Sequence, residues 1–343
     1  MAYLNVLNDI KRCIGIEVPE QFPVLALTEE FDVAQAGMTY KEYASSEENA
    51  AKVHIQGIEK FDYDWACVYI DDCIEFEPLG VETICFNNVP ASASRFLPAV
   101  QESISRLDIP DPMTAGRMPV QLGAIRRIRQ RFGDSVLVCG RTPAPFSAVT
   151  LLYGIEQTMM LIYDEPKLLH DTMKFLLDVE TSYAKAQIAA GVHALWIGDC
   201  SSSSRFLPVE LFKKFAAEPA AEFISRVKAM GAIAIYFSAE KSIPHLMAAL
   251  ELGADIIGVS ENADIAECKR TLNKKVCLMG NLDPINIVMN GTPEVIKAEV
   301  RRIISIAGRD GGFLFNTGEG IPRDTCPKNV KAIIEALRGG FNV

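Results

Sequence analysis

The sequence predicts a (β/α)8 TIM barrel with a helical amino-terminal extension, built as a single domain. Eight short apolar runs bounded by turn residues recur along the chain, and segments of helical period lie between them. The length of 343 residues allows one large domain or two ordinary ones. We expect the extension to occupy residues 1–60 and the barrel residues 61–343, with a longer insertion near residues 88–134.

The eight apolar runs are the predicted strands. They are nearly continuous in Val, Ile, Leu and Cys, which is typical of parallel strands that are covered on both faces. The runs span residues 64–70, 81–86, 135–142, 193–199, 232–238, 254–260, 275–281 and 311–318.

Four segments between and after these runs show clear helical periodicity: residues 207–230, 242–252, 292–307 and 327–338. Proline and glycine stand where a first helical turn and a helix end accept them. A doubly wound sheet is the alternative fold. It lacks its usual sequence support, because no glycine-rich dinucleotide fingerprint and no phosphate-binding G-x-x-x-x-G-K-[ST] motif is present.

Composition narrows the class of protein. Hydrophobic residues make up 49% of the chain and charged residues 23%, which excludes disorder as the main state. A net charge of -10 makes binding to nucleic acid or anionic lipid unfavourable. The nine cysteines form no C-x-x-C pair, and no uncharged apolar stretch reaches the length of a membrane span. We therefore expect a cytoplasmic protein with reduced cysteines.

Polar residues at the carboxyl ends of the predicted strands are the candidate site residues, because barrel chemistry collects there. Such residues also cap helices and satisfy loop backbone, so each alone can be structural. Together they predict a polar, acid-lined mouth. The candidates are Asp72, Arg141, Asp199, Tyr236, Ser238, Glu261, Asn281, Asn316 and Glu319.

Several segments resemble the uroporphyrinogen decarboxylase superfamily, which also contains methyltransferases that take a methyl group from methylcobalamin. They read DDCIEFEPLGVE after the first predicted strand, GRTPAPFSA after the third, WIGDCSSSSRFLPVELFKKF at the fourth, GNLDP at the seventh and GEGIPRDTCPKNVKAI at the eighth. The resemblance runs from about residue 45 to the carboxyl terminus and implies a TIM barrel.

Two departures from the superfamily's motifs point to the methyltransferase branch without its metal. The arginine-rich R-Q-A-G-R loop of the decarboxylases is replaced by the acidic stretch TEEFDVAQAGMTYKEYASSEENAAK, which disfavours a substrate with many carboxylates. Thiol-specific methyltransferases hold zinc with H-x-C and a later cysteine. Here Tyr236, Phe237 and Ser238 stand in place of the H-x-C, and Glu319 replaces the cysteine. We therefore predict no bound zinc.

The predicted reaction is transfer of a methyl group between a methylated corrinoid and N5 of tetrahydrofolate. This nitrogen keeps its lone pair at neutral pH and needs no metal to become nucleophilic, whereas a thiol does. A carboxylate is enough to handle its proton. We expect the corrinoid, as methylcobalamin or bound to a separate corrinoid protein, to come from outside, because the chain has no D-x-H-x-x-G motif.

The resemblance and this chemistry divide the candidates by role. Glu319, Asp199 and Tyr236 are the candidate catalytic residues, although Tyr236 can also be ordinary barrel filling. Arg141 is either a structural ion-pair partner or a clamp for the folate glutamate tail. The candidate substrate-binding residues, several of them suited to the donor and acceptor edge of a pterin, are Asn281, Glu261, Asn316, Ser238, Arg141 and Asp72.

Three other functions stay open at the level of sequence. One is a zinc-dependent methyltransferase that acts on a thiol. A second is a barrel without catalytic activity that binds a corrinoid protein or a small ligand. A third is a different decarboxylase or a different methyl acceptor, for which the sequence gives no positive sign.

Overall fold

The computed structural model describes residues 5–272 and 274–339. Its centre is a curled, fully parallel sheet of seven strands in the order β1-β4-β5-β6-β7-β8-β9, and a separate pair, β2 and β3, runs antiparallel. The strands are β1 Trp65–Cys67, β2 Glu82–Ile84, β3 Ser92–Arg95, β4 Leu137–Pro143, β5 Ala194–Gly198, β6 Ile233–Phe237, β7 Ile256–Gly258, β8 Cys277–Asn281 and β9 Phe313–Asn316.

Helices surround the convex face of this sheet, and the longest of them packs beside β4. The first ten are α1 Val6–Ile14, α2 Glu29–Gln35, α3 Tyr40–Tyr43, α4 Glu47–Phe61, α5 Gln101–Ile104, α6 Met118–Phe132, α7 Pro145–Tyr153, α8 Ile155–Asp164, α9 Pro166–Ala190 and α10 Val209–Leu211. The remaining five are α11 Ala217–Ala229, α12 Ile243–Ala249, α13 Ile265–Leu272, α14 Pro293–Ala307 and α15 Pro327–Arg338. No described helix is both long enough and apolar enough to cross a bilayer.

Alternate residues of the seven strands point inward and form a distinct core inside the curl of the sheet. Trp65 and Trp196 lie in this inner core with their ring centroids 6.3 Å apart, and Phe237 packs on Trp196 at 4.7 Å. Val6 and Ile10 of α1 also belong to it, so this amphipathic helix buries its apolar face against the sheet. A second, larger core fills the space between sheet and outer helices.

An extended segment of the amino-terminal extension lies between the two edge strands of the sheet. The Asp64 N–H donates to Val24 O at 3.1 Å beside β1, and the Ile321 N–H donates to Leu27 O at 2.7 Å beyond β9. Leu25 of the same segment belongs to the inner core. The described residues thus form a TIM-barrel-like curled sheet with seven ladder strands, in place of the eight that the sequence predicts.

The prediction of a core strand over residues 81–86 is wrong. Glu82–Ile84 pairs only with β3 in the antiparallel hairpin, outside the central sheet. Ile84 is 44% exposed and Phe86 50% exposed, so an apolar run that resembles a buried strand lies on the surface. An apolar run specifies burial only when other elements cover it, and the sequence does not show which runs are covered. The insertion accordingly begins before residue 88, and the helix that ends it, α6, packs beside β4 as an outer helix.

Candidate functional site

A cavity of roughly 270 Å³ opens at the carboxyl ends of the strands, between β1, β4 and the extended amino-terminal segment. Its walls combine acidic and aromatic side chains with a single arginine. The charged lining residues are Glu29, Glu30, Asp32, Asp72, Arg141 and Glu319, and the larger aromatic ones are Tyr63, Trp65, Tyr69, Trp196 and Phe237.

The cavity exists because β1 and β4 separate after Cys67 and Cys139. The last backbone bond between them runs from the Val68 N–H to Cys139 O at 2.8 Å. Beyond it two buried amides bridge the gap. Gln187 Oε1 accepts from the Arg141 N–H, and its Nε2 donates to Arg141 O, both at 3.1 Å. Gln121 then joins Gln187 Oε1 to the backbone that follows β1.

Arg141 therefore leaves β4 with a fixed backbone, and its side chain stands on the cavity wall. The guanidinium lies over the Tyr69 ring, with Cζ 4.0 Å from the centroid. The Asp72 carboxylate is 3.7 Å away, which is an ion pair but exceeds hydrogen-bonding distance. Within the described part of the chain the guanidinium donates no hydrogen bond. Its N–H groups are thus available to a ligand.

Glu319 follows β9 and lies on the same wall as Asp72 and Arg141. Its carboxyl is reached by solvent through the mouth, yet the surrounding protein desolvates it and raises its pKa. Arg141 opposes this rise, while the negative charges of Glu261 and Asp72 add to it. A carboxyl of raised pKa in an open cavity is a better proton donor partner for bound substrate than an ordinary carboxyl, because its protonated form persists to higher pH.

Sequence reasoning missed Glu29, which lines the cavity at the start of α2. Its carboxylate accepts a hydrogen bond from the Tyr40 hydroxyl, and burial raises its pKa well above the ordinary value. The same Tyr40 hydroxyl is 2.7 Å from Ile70 O. The acidic stretch that begins at Thr28 was the available signal, but only the fold shows that its first glutamate turns toward the barrel mouth.

Asp199 and Tyr236 lie in the protein interior, and the Tyr236 ring belongs to the core between the sheet and the outer helices. The Tyr236 hydroxyl donates to Asp199 Oδ2 at 2.8 Å, and the Ser147 hydroxyl donates to Asp199 Oδ1 at 2.7 Å. Asp199 and Tyr236 are at most 1% exposed, and burial raises the pKa of the Asp199 carboxyl. Ser238 is also buried, and the second hydroxyl at the Tyr236 oxygen is that of Ser202, at 3.3 Å. None of Asp199, Tyr236 and Ser238 is among the residues that line the cavity.

The remaining candidates divide between structural bonds and the rim. The Asn281 amide donates to the carbonyls of Ser260 and Ala263 at 3.0 and 2.9 Å. The Asn316 amide donates to Leu25 O at 2.5 Å, so it holds the extended segment. Glu261 is partly exposed and close enough to Glu319 to raise its pKa. The structure thus brings Asp72, Arg141 and Glu319 together at the cavity, and the pterin-edge roles of the two asparagines stay predictions.

The positions that hold zinc in thiol-specific methyltransferases do not form a metal site here. The Tyr236 hydroxyl donates its hydrogen bond to Asp199, and the Phe237 ring packs on Trp196. Within the described residues, no group of three or more His, Cys, Asp or Glu side chains has a metal-binding arrangement. Cys200 lines the cavity, but desolvation and the charge of Glu319 raise its thiol pKa to about 12. The described donor set therefore does not fit a zinc ion.

A smaller cavity of roughly 110 Å³ adjoins the first across Tyr69, Asp72, Arg141 and Cys200. Its far wall includes Glu75, a carboxyl whose pKa is raised well above the ordinary value by burial and then by the charge of Glu180. Arg141 lines both cavities and therefore stands between two adjoining parts of one polar site.

A curled parallel sheet with a polar cavity at the carboxyl ends of its strands defines the class of TIM-barrel-like α/β proteins, in which catalytic sites lie at that end. The chain belongs to the uroporphyrinogen decarboxylase (URO-D) family, whose model matches residues 8–339. Members of this family are enzymes.

Relatives with curated names support the family at moderate identity. The chain is 29% identical over 321 residues to a uroporphyrinogen decarboxylase of Methylococcus capsulatus, covering 91% of this chain and 89% of that protein. It is 27% identical over 303 residues to a uroporphyrinogen decarboxylase of Chlorobaculum tepidum, covering 85% and 84%. A solved methyltransferase from Methanosarcina mazei superposes with a TM-score of 0.89 over 97% of this chain and 98% of that one. At 21% identity this likeness shows the fold.

Proposed function

We propose that this chain is a corrinoid-dependent methyltransferase. It exchanges a methyl group between a corrinoid, free or held by a separate corrinoid protein, and a nitrogen atom of a molecule bound in the acidic cavity, without zinc. In the form that the sequence predicts, this nitrogen is N5 of tetrahydrofolate. When bound, the corrinoid supplies the cobalt chemistry that makes methyl transfer possible.

The observation that carries the proposal is the placement of Glu319. This carboxyl, of raised pKa, lines the cavity at the position where the thiol-specific enzymes have a metal-binding cysteine. A nitrogen that gains a methyl group must be free of its proton, and a carboxylate beside it can accept that proton. In the opposite direction the protonated carboxyl returns it. Thiol activation, by contrast, would need a metal that the described side chains do not fit.

The other lining residues position the nitrogen compound. Arg141 offers hydrogen bonds to a carboxylate, and Asp72 and Glu29 surround the nitrogen with acidic groups. Asp199 and Tyr236 do not line the cavity and contribute through the bond between them and the bond from Ser147. Because Asn281 and Asn316 bond to backbone, contacts to a folate would come from Arg141, Asp72 and Glu319 instead.

The test is direct. The purified chain is mixed with methylcobalamin and tetrahydrofolate, and the appearance of cob(I)alamin is followed by its absorbance, with and without a chelator. We expect transfer that the chelator leaves unchanged. Transfer that the chelator abolishes would restore a metal-dependent mechanism, and no transfer to any nitrogen acceptor would favour a barrel that only binds its partners.

Decarboxylation of uroporphyrinogen is the activity named for the relatives, so it needs its own measurement. Among the described lining residues only Arg141 carries a guanidinium, so the cavity supplies little positive charge to a substrate with many carboxylates. We expect no coproporphyrinogen after anaerobic incubation with uroporphyrinogen. Its formation at an enzymatic rate would contradict the proposal.

A further inference from the structure

We infer that the nitrogen compound of this cavity is a compact zwitterion that carries a carboxylate and a methylated ammonium group. The inference rests on the proposed function for the transfer itself, but the binding of such a ligand is measured independently. Four features of the cavity lead to it: its aromatic rings, its excess of acidic groups, its unbonded arginine and its size.

The aromatic rings provide a surface for a methylated cation. Trp65, Trp196 and Phe237 line the cavity, and Trp196 packs in tilted contact with both of the other rings, so their positions are fixed. Aromatic faces attract quaternary ammonium groups because the ring quadrupole is negative at the face, while the methyl groups gain apolar contact. Trp196 is 1% exposed and its indole N–H has no hydrogen-bond partner among the described residues. A ligand oxygen would satisfy that donor.

Acidic side chains supply the counter-charge. Asp72 and Glu319 lie around the same cavity, and a positive charge brought between them reduces their mutual repulsion. Arg141 provides only one positive charge against this group. A cationic ligand therefore gains from the site, whereas a ligand with only negative groups does not.

Arg141 provides the positive group that would bind the carboxylate of the ligand. A partly exposed guanidinium stacked on Tyr69, with no hydrogen bond to the described protein, presents the planar pair of donors that a carboxylate fits. Gln187 fixes the backbone that carries it. A single dipolar ligand can therefore span the cavity, with its carboxylate at Arg141 and its ammonium group among the aromatic and acidic side chains.

The volume of the main cavity favours a compact ligand. Cavities that hold drug-sized molecules measure about 300–1,000 Å³, and this one is roughly 270 Å³. A methylated amino acid fits such a space. In the transfer, its tertiary amine loses a proton to the Glu319 carboxylate, forms the new nitrogen–methyl bond with its lone pair and becomes the quaternary ammonium, while the electron pair of the broken methyl bond stays with cobalt.

The tryptophans make the test possible without turnover. The chain has two, and both line the cavity, so intrinsic fluorescence reports its occupancy. We propose titration of the full chain with glycine betaine, and in parallel with two analogues that each lack one pole. Choline has the ammonium without the carboxylate, and 3,3-dimethylbutyrate has the carboxylate with an uncharged carbon in place of nitrogen. We expect betaine to bind at least about tenfold more tightly than either analogue.

Two variants locate the poles. Arg141→Met should weaken betaine by about tenfold or more and leave choline unchanged, since only the carboxylate contact is lost. Phe237→Leu should weaken betaine and choline together and spare 3,3-dimethylbutyrate. Arg95→Met, in the exposed hairpin, should bind like the wild type. Circular dichroism establishes that each variant is folded, and calorimetric titration replaces fluorescence if the signal is small.

The outcomes separate the two proposals. No saturable betaine binding, or equal affinity for betaine and 3,3-dimethylbutyrate, overturns the zwitterion inference even if tetrahydrofolate is methylated in the transfer assay. Betaine binding with the expected analogue pattern, but without formation of methylcobalamin from cob(I)alamin and betaine or transfer to any amine, upholds the ligand and overturns the methyltransferase.

Discussion

The side-chain amide of Gln187 holds the backbone of Arg141 on both sides, with Oε1 accepting from its N–H and Nε2 donating to its carbonyl, each at 3.1 Å. It replaces the neighbouring strand that β4 loses where β1 turns away. Gln121 donates to the same Gln187 Oε1 at 3.1 Å. Where the sheet opens to form the cavity, the backbone polar groups of β4 are thus bonded by two buried amides, and Arg141 on the cavity wall depends on them.

Gln187→Met should therefore destabilise the protein and disturb Arg141. Methionine fills a similar volume but leaves the Arg141 N–H and carbonyl and the Gln121 amide without partners. An unsatisfied buried polar group costs about 1–3 kcal/mol, so we expect a loss of roughly 3 kcal/mol in the free energy of unfolding, measured with urea. Gln157→Met, on the exposed face of α8, is the matched control and should unfold like the wild type. A Gln187 variant as stable as the control would show that β4 does not need this bridge.

Arg117 connects the insertion to the loop that follows β1, and we expect its removal to be costly. It contacts the buried carboxylate of Asp71 at 2.5 and 3.0 Å and that of Glu77 at 2.5 and 3.0 Å. Arg117→Gln leaves the Asp71 charge buried without its partner, and breaking such a pair costs about 3–5 kcal/mol. Urea unfolding measures the loss. Arg95→Gln breaks an exposed pair with Glu82 and serves as control, since exposed pairs contribute little.

Burial of Asp32 makes stability depend on pH. Desolvation raises the pKa of this carboxyl from 3.8 to about 8, so between these values the folded state binds more protons than the unfolded state. Stability from this group is present at low pH and is lost as pH rises. The free energy of unfolding falls by at most about 1.4 kcal/mol per pH unit through this group. The total fall from pH 6 to 8 is about 2 to 3 kcal/mol. Asp32→Asn should remove that part of the fall in unfolding free energy, whereas Asp108→Asn on the surface should keep it.

Glu319 should set the pH dependence of methyl transfer. Methylation of nitrogen needs the carboxylate as proton acceptor, so that rate should fall as pH drops through the raised pKa of Glu319. The reverse transfer needs the protonated acid and should fall as pH rises through the same pKa. Glu319→Gln should lower kcat by about 10²- to 10⁴-fold, with KM changed much less, and should flatten both profiles. An unaltered profile in the variant would assign proton handling to another group.

The sequence by itself determined the alternation of strands and helices, the acidic balance and the polar residues at strand ends. Seven of the eight predicted strands lie in the central sheet, because parallel strands buried on both faces must be apolar along their length. Helices over residues 293–307 and 327–338 match the predicted segments closely, since proline starts and amphipathic periods are local signals.

Only the tertiary structure decided which polar residues face the cavity. Asp199 and Tyr236 stand at strand ends like Arg141 and Glu319, yet they bond to each other and do not line the cavity. Asn281 and Asn316 are occupied by backbone carbonyls that come from other parts of the chain. A hydrogen-bonding side chain has the same letter whether its partner is a ligand or the protein, and that partner is chosen by residues brought close only when the chain folds. For the same physical reason the sequence did not show that Glu29, Trp65 and Trp196 line one cavity, because only the curl of the sheet brings them together.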